Sequence, residues 1–192
     1  MTTDKRILRT QNALHAALEE LAVNHDYGDI TVTKLTKLAG INRKTFYLHY
    51  NSIDDLVDTY ADQVAVQLAK IIRRQTFKTV YHHPGILIDE LVDFLRVHSA
   101  AVQRILFSDD YSRFAKRIER ALTKTLAETI RESYPMTSQD AAITAYFLVH
   151  NTLSLYGYFT NVAADSNHFD REQFKRYVSR LNLTGLSSFF KE

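Results

Sequence analysis

The twenty residues Thr31 to Tyr50, TVTKLTKLAGINRKTFYLHY, constrain the fold of this chain more than any other stretch. Thr31 is a good N-cap, because a hydroxyl there accepts an amide proton that the first helical turn leaves unpaired. Val32, Leu35, Leu38 and Ala39 then recur at three- and four-residue spacing, which predicts a short helix with one apolar stripe. Gly40 ends it, as the residue best able to adopt the left-handed conformation just past a helical C-terminus. Ile41 is expected to plug the turn, and Asn42 to cap a second short helix from which only Phe46 and Tyr50 look inward. So small a core needs support. An amphipathic helix from about Lys5 to Val23, with Ile7, Leu14, Ala17, Leu18 and Leu21 on its inner stripe, is read as supplying it, with a turn at Asp26 to Asp29 between.

Arg43, Lys44, Thr45, Tyr47 and His49 are left to project outward from the second short helix. The block holds four cations, Lys34, Lys37, Arg43 and Lys44, and no carboxylate. Residues 1 to 50 carry seven Lys and Arg against five Asp and Glu, whereas residues 51 to 192 carry seventeen of each. The formal excess of the chain therefore sits in its first quarter, and concentrated positive charge is what phosphate affinity requires. The expected partner of this face is double-stranded DNA.

FYLHY after GINRKT, preceded by ITVTKLTKLA and an amphipathic first helix, resembles the TetR family of bacterial transcriptional regulators over roughly residues 6 to 65. The resemblance implies an all-α chain of about nine helices: a three-helix helix-turn-helix DNA-binding domain, residues 1–51, and a larger helical ligand-binding and dimerisation domain, residues 52–192, with helix 52–75 linking the two. In that family the second motif helix enters the major groove, and the tyrosine at the position of Tyr47 touches the DNA backbone. Carried over, Arg43, Lys44 and His49 become candidates for base or phosphate contact, and Thr33 and Thr45 for phosphate hydrogen bonds. Thr31, Lys34, Lys37 and Asn42 complete the candidate DNA-binding set. Two departures matter: Lys44 stands where many members have a small residue, and Ile53 where many have a lysine. The grip at that helix start then rests on amides near Asn51 and Ser52. The function implied is a homodimeric regulator, expected to repress, on a palindromic operator under the control of a small ligand. The alternative is a dimeric regulator or adaptor acting through a protein partner.

Five glycines and two prolines in 192 residues permit long helices almost everywhere, and the absence of cysteine excludes disulfides and thiolate chemistry. This fits a reducing cytoplasm, the expected location. The first ten residues lack the apolar core of a signal peptide, and the apolar run Ala141 to Val149 is stopped by His150 and Asn151 before it spans a bilayer, so no membrane role is expected. Ser52 and Asp55 give a capping-box-like start to the linking helix, whose Asp54, Asp55, Asp58 and Asp62 read as solvated. A helix over about Gly85 to Val97 follows the break at His82 to Gly85, and a short one over Ser99 to Phe107 comes next. Phe114, Ile118, Leu122, Leu126 and Ile130 mark another helix, with Arg113, Lys116, Arg117, Arg120 and Lys124 read as its solvated face.

Residues 138 to 162 are apolar on nearly every side, so a helix there must be covered all round. The chain is therefore expected to form a homodimer through helix 138–162, with Gly157 allowing close approach, joined by helix 170–182. Phe189 and Phe190 either pack on the body or mark a contact surface. Phe94, His98, Phe107, Tyr111, Phe114, Tyr146 and His150 are the candidates to line an effector cavity, against the plainer reading of an ordinary aromatic core. No catalytic residue, metal site or cofactor is expected, because the chain lacks a phosphate-binding glycine loop, a cysteine nucleophile and a His-Glu-x-x-His pattern.

Overall fold

The computed structural model describes residues 2–97, 100–166 and 169–186. Among them are ten α-helices and two single-turn 3-10 helices, and no strand: α1 (Thr2–Asn24), α2 (Val32–Leu38), α3 (Arg43–Tyr47), α4 (Ile53–Ile72), α5 (Phe77–His82), α6 (Pro84–Val97), α7 (Ala100–Phe107), α8 (Ser112–Ser133), α9 (Ser138–Ser166) and α10 (Arg171–Leu186). Tyr27–Asp29 and Asp109–Tyr111 are the 3-10 turns. The unexpected element is α5, a six-residue helix whose cap is Thr76, accepting from the Thr79 amide at 3.2 Å. The linking helix is shorter than the expected 52–75, and α9 runs past residue 162 to Ser166. The tenth helix, expected over 170–182, spans Arg171–Leu186. Ser99, Phe189 and Phe190 lie outside the described residues.

Two compact units emerge. One combines residues 1–64 with 95–118, and the other 65–94 with 119–192. The expected division at 51/52 falls inside the first unit. Side-chain chemistry explains why: the ring of Tyr27 lies 5.2 Å from that of Tyr111 and 5.3 Å from that of Phe114, and its hydroxyl donates to Asp54. Three aspartates of α4 face two arginines of α8. Arg113 reaches Asp54 at 3.1 Å and Asp58 at 3.5 Å, while Arg117 reaches Asp58 at 3.8 Å and Asp62 at 2.7 Å. These residues, expected to be merely solvated, form an exposed ladder of ion pairs.

Leu14, Leu18, Leu35, Phe46, Leu56 and Val57 are fully buried at the centre of the first unit. Ile7, assigned to the inner stripe of α1, is instead exposed. Beside this core, His15 is buried between Tyr50, whose hydroxyl shares a 3.2 Å hydrogen bond with Nε2, and the edge of the Tyr60 ring. Burial, opposed by the Glu19 carboxylate, holds the His15 imidazole below its ordinary basicity.

In the second unit α9 buries Ala141, Thr144, Ala145, Leu148, Val149 and Tyr156 along one side. Its other side leaves Ile143, Tyr146, Phe147 and Tyr158 exposed. α10 packs on α9 through Phe174, whose ring meets those of Tyr156 and Phe159 at 5.7 Å. Asn182 bonds to Asn151 and, at 3.2 Å, to Thr152. Arg171 and Lys175 fasten α10 to α6, meeting Asp89 at 2.7 and 2.9 Å. No helix among the described residues is long and apolar enough to cross a membrane.

Candidate nucleic-acid interface

Residues 31–50 are organised by local hydrogen bonds. The Thr31 hydroxyl accepts from the Lys34 amide at 3.2 Å, in the extended conformation that an N-cap needs. Gly40 has φ +65. Its amide donates to the Lys37 carbonyl at 3.3 Å, and that of Ile41 to the Thr36 carbonyl at 2.9 Å. This pair is the Schellman closure of a helix, and it ends α2 within two residues. Asn42 then caps α3 by accepting from the Lys44 amide at 2.8 Å.

Packing departs from expectation at two places in the turn. Ile41 is only half-buried, and Leu38 is exposed. Thr36 takes the inner position, where its hydroxyl donates to the Val32 carbonyl at 2.7 Å and so carries no unpaired polar group inward. Phe46 and Tyr50 do face the core, at 0% and 3% exposure.

Thr31, Thr33, Lys34, Lys37, Asn42, Arg43, Lys44 and Tyr47 are all exposed, while Thr45 and His49 are half-buried. Residues 31–50 hold four cations and no carboxylate, whereas several cations elsewhere are ion-paired. Arg73, Arg74, Arg104, Arg113, Arg117, Arg171 and Lys175 each hold a carboxylate. Among the described residues, no carboxylate pairs with Lys34, Lys37, Arg43 or Lys44. Their charge remains available to an external anion. At the start of α4, Ser52 accepts from the Asp55 amide at 3.1 Å, while the Asp55 carboxylate takes the Asn51 amide at 2.9 Å. The Asn51 amide, expected to be open to phosphate, is therefore already engaged. The composition of the motif did not single out Leu48, which is 81% exposed as the C-cap of the helix that carries Lys44 and Tyr47.

The aromatic candidates for an effector cavity fall in both units. Tyr111 and Phe114 are buried in the first unit, their ring centroids 6.2 Å apart, with Phe107 half-buried in the same unit. The Tyr111 hydroxyl is buried with no hydrogen-bond partner among the described residues, and burial pushes its pKa up to about 12. Phe94 is buried in the second unit. There too, Tyr146 stacks on His150 at 3.8 Å, Nδ1 of His150 lies 2.9 Å from the Tyr146 carbonyl, and Nε2 lies 3.4 Å from Glu119. Tyr111 thus meets Phe114, and Tyr146 meets His150, as separate pairs. His98 lies outside the described residues.

No family model matches the chain. Over 66 residues it is 36% identical to the uncharacterised HTH-type transcriptional regulator YxbF of Bacillus subtilis (strain 168), a match that spans 34% of this chain and 17% of that protein. A TetR transcriptional regulator from Streptococcus agalactiae superimposes with a TM-score of 0.67 at 24% identity, covering 95% of this chain and 98% of the other. The fatty acid degradation regulator FadR from Bacillus halodurans gives 0.67 at 17% identity over 90% and 94% of the two chains. SmeT, the repressor of a Stenotrophomonas maltophilia multidrug efflux pump, gives 0.65 at 13% over 91% and 89%. The fold of this chain is that of the TetR transcriptional regulators.

Proposed function

We propose that the chain is a DNA-binding transcriptional regulator that acts as a homodimer on a palindromic operator and represses by occupying it. The observation that carries this reading is the capped, glycine-turned pair α2 and α3, which presents Lys34, Lys37, Arg43 and Lys44 without a carboxylate partner among the described residues. Phosphates would supply the missing anions, and the outer side chains of α3 would meet base edges. In this reading Thr31, Thr33, Asn42, Thr45, Tyr47 and His49 belong to the same contact surface. A nucleic-acid partner of this kind would put the protein in the cytoplasm.

Two copies are needed because α3 spans little more than one turn and reaches only a few base pairs, each good bidentate contact giving roughly 1–3 kcal/mol of discrimination. The exposed side of α9, with Ile143, Tyr146, Phe147 and Tyr158, and of α10, with Tyr177 and Leu181, supports a second copy as the covering partner. Pairing doubles the contact set and demands half-sites at a set spacing. A small ligand held among the helices of the second unit would release DNA through its differential affinity for the spacings of the two heads. What supports ligand control is the shared fold and the aromatic content of that unit, Phe94, Tyr146 and His150 among it.

The test is selection from a pool of randomised duplexes, with the stoichiometry of the retained complex measured by sedimentation. Enrichment of an inverted repeat bound by two chains is expected. A pool that stays random, or a protein that remains a monomer at micromolar concentration, contradicts the reading.

A further inference from the structure

Leu48 is the most exposed large apolar side chain among the described residues, at 81%. It follows α3 as its C-cap with helical backbone angles, φ −77 and ψ −18. The amides of His49 and Tyr50 still donate to the Phe46 carbonyl, each at 2.9 Å, so the helical path holds through Leu48. At about 100° per residue, Leu48 stands about 180° from the midpoint of Phe46 and Tyr50, the two side chains that α3 commits to the core. Lys44, one turn earlier, and Thr45 flank it on either side. Leu48 is therefore the apex of the outward face, an apolar tip with the Lys44 cation beside it.

Such a face suits a partner with an anionic rim and an apolar spot at its centre. The major groove has both: phosphates line its edges, and the 5-methyl group of thymine is the apolar feature of its floor. We propose that Leu48 reads thymine, packing its terminal methyl groups on a thymine 5-methyl and so specifying an A·T pair in each half-site. This rests on the DNA-binding reading above, and it adds a base-reading residue of apolar chemistry to a surface otherwise described by its charges.

The experiment takes the duplex recovered by selection and replaces its thymines with uracil one at a time, which removes the methyl group and leaves every hydrogen-bonding atom. With the full chain, one thymine in each half-site is expected to show a loss of about fourfold, the factor that corresponds to burial of one methyl-sized apolar group. Leu48→Ala should bind the thymine and uracil duplexes equally at that position, while the dependence of its affinity on salt concentration keeps the same slope. Unchanged affinity at every uracil position, or a uracil penalty in Leu48→Ala equal to that of the parent chain, would overturn the assignment while leaving DNA binding intact. Failure to retain any duplex at all would instead remove both readings.

Discussion

Arg104 of α7 grips Asp26 at 2.7 Å through Nη2, and with Nη1 donates to the Val23 carbonyl at 3.2 Å. Val23 lies in the last turn of α1, where carbonyls have no intrahelical partner and a positive charge is favoured by the helix dipole. The last turn of α1 holds no basic residue of its own, so α7 supplies the cation. The two partners contribute unequally. Asp26 has a side chain 74% exposed, and Asp26→Ala is expected to cost less than about 0.5 kcal/mol. Arg104→Ala removes the bond to the α1 carbonyl as well and is expected to cost about 1–2 kcal/mol. Urea unfolding of the two variants checks the order.

Two glycines with equally open surroundings should respond in opposite directions. A Cβ on Gly28 or on Gly40 would meet nothing within 4 Å, but Gly40 has φ +65 and Gly28 lies outside the positive-φ region. Gly40→Ala therefore forces a side chain into the left-handed conformation and is expected to lower stability by about 1–2 kcal/mol, with Gly40→Asn costing less. Gly28→Ala is expected to be neutral or to stabilise by up to about 1 kcal/mol, because it restricts the unfolded chain. Midpoints of urea unfolding at constant slope separate the two cases.

His15 makes the stability of the first unit depend on pH. Burial favours its neutral form, so its pKa in the folded protein lies below the ordinary 6.5. Between those two values the unfolded chain binds the proton and the folded one does not, and stability therefore rises with pH through that window. The contribution is fully present above pH 6.5 and is lost as pH falls below it. Melting temperatures of the parent chain are expected to drop more between pH 7.5 and 5.5 than those of His15→Gln, which lacks this buried imidazole. Parallel curves for the two proteins would show that another group controls the effect.

Legibility of the sequence followed how local each interaction is. Thr31, Gly40, Asn42, Phe46 and Tyr50 took their expected places, since caps, the turn and the four-residue core pair depend on near neighbours. Leu38 and Thr36 exchanged roles because helical geometry outweighs hydropathy in so short an element: positions 32, 35, 36 and 39 share a face, and position 38 stands off it. A threonine whose hydroxyl is satisfied by Val32 can be buried there. Tyr27, read only as part of a turn, carries the ring contacts to Tyr111 and Phe114, residues more than eighty positions away. The ladder between Asp54, Asp58, Asp62, Arg113 and Arg117 escaped notice for the same reason, as charges at helical spacing look solvated until the facing helix is known. Leu48 carries neither charge nor a polar group, so its chemistry alone does not mark it as a contact residue beside Lys44 and Tyr47.

The salt dependence of duplex affinity tests the central claim most directly. If the unpaired cations of α2 and α3 neutralise phosphates, log affinity falls linearly with log salt concentration, and Lys34→Ala, Lys37→Ala, Arg43→Ala and Lys44→Ala each reduce the magnitude of that slope by about one per head that loses a phosphate contact. Lys124→Ala on α8, an exposed lysine outside the motif, is expected to leave the slope as it was. Slopes that stay the same in all four motif variants would contradict the placement of DNA on this face.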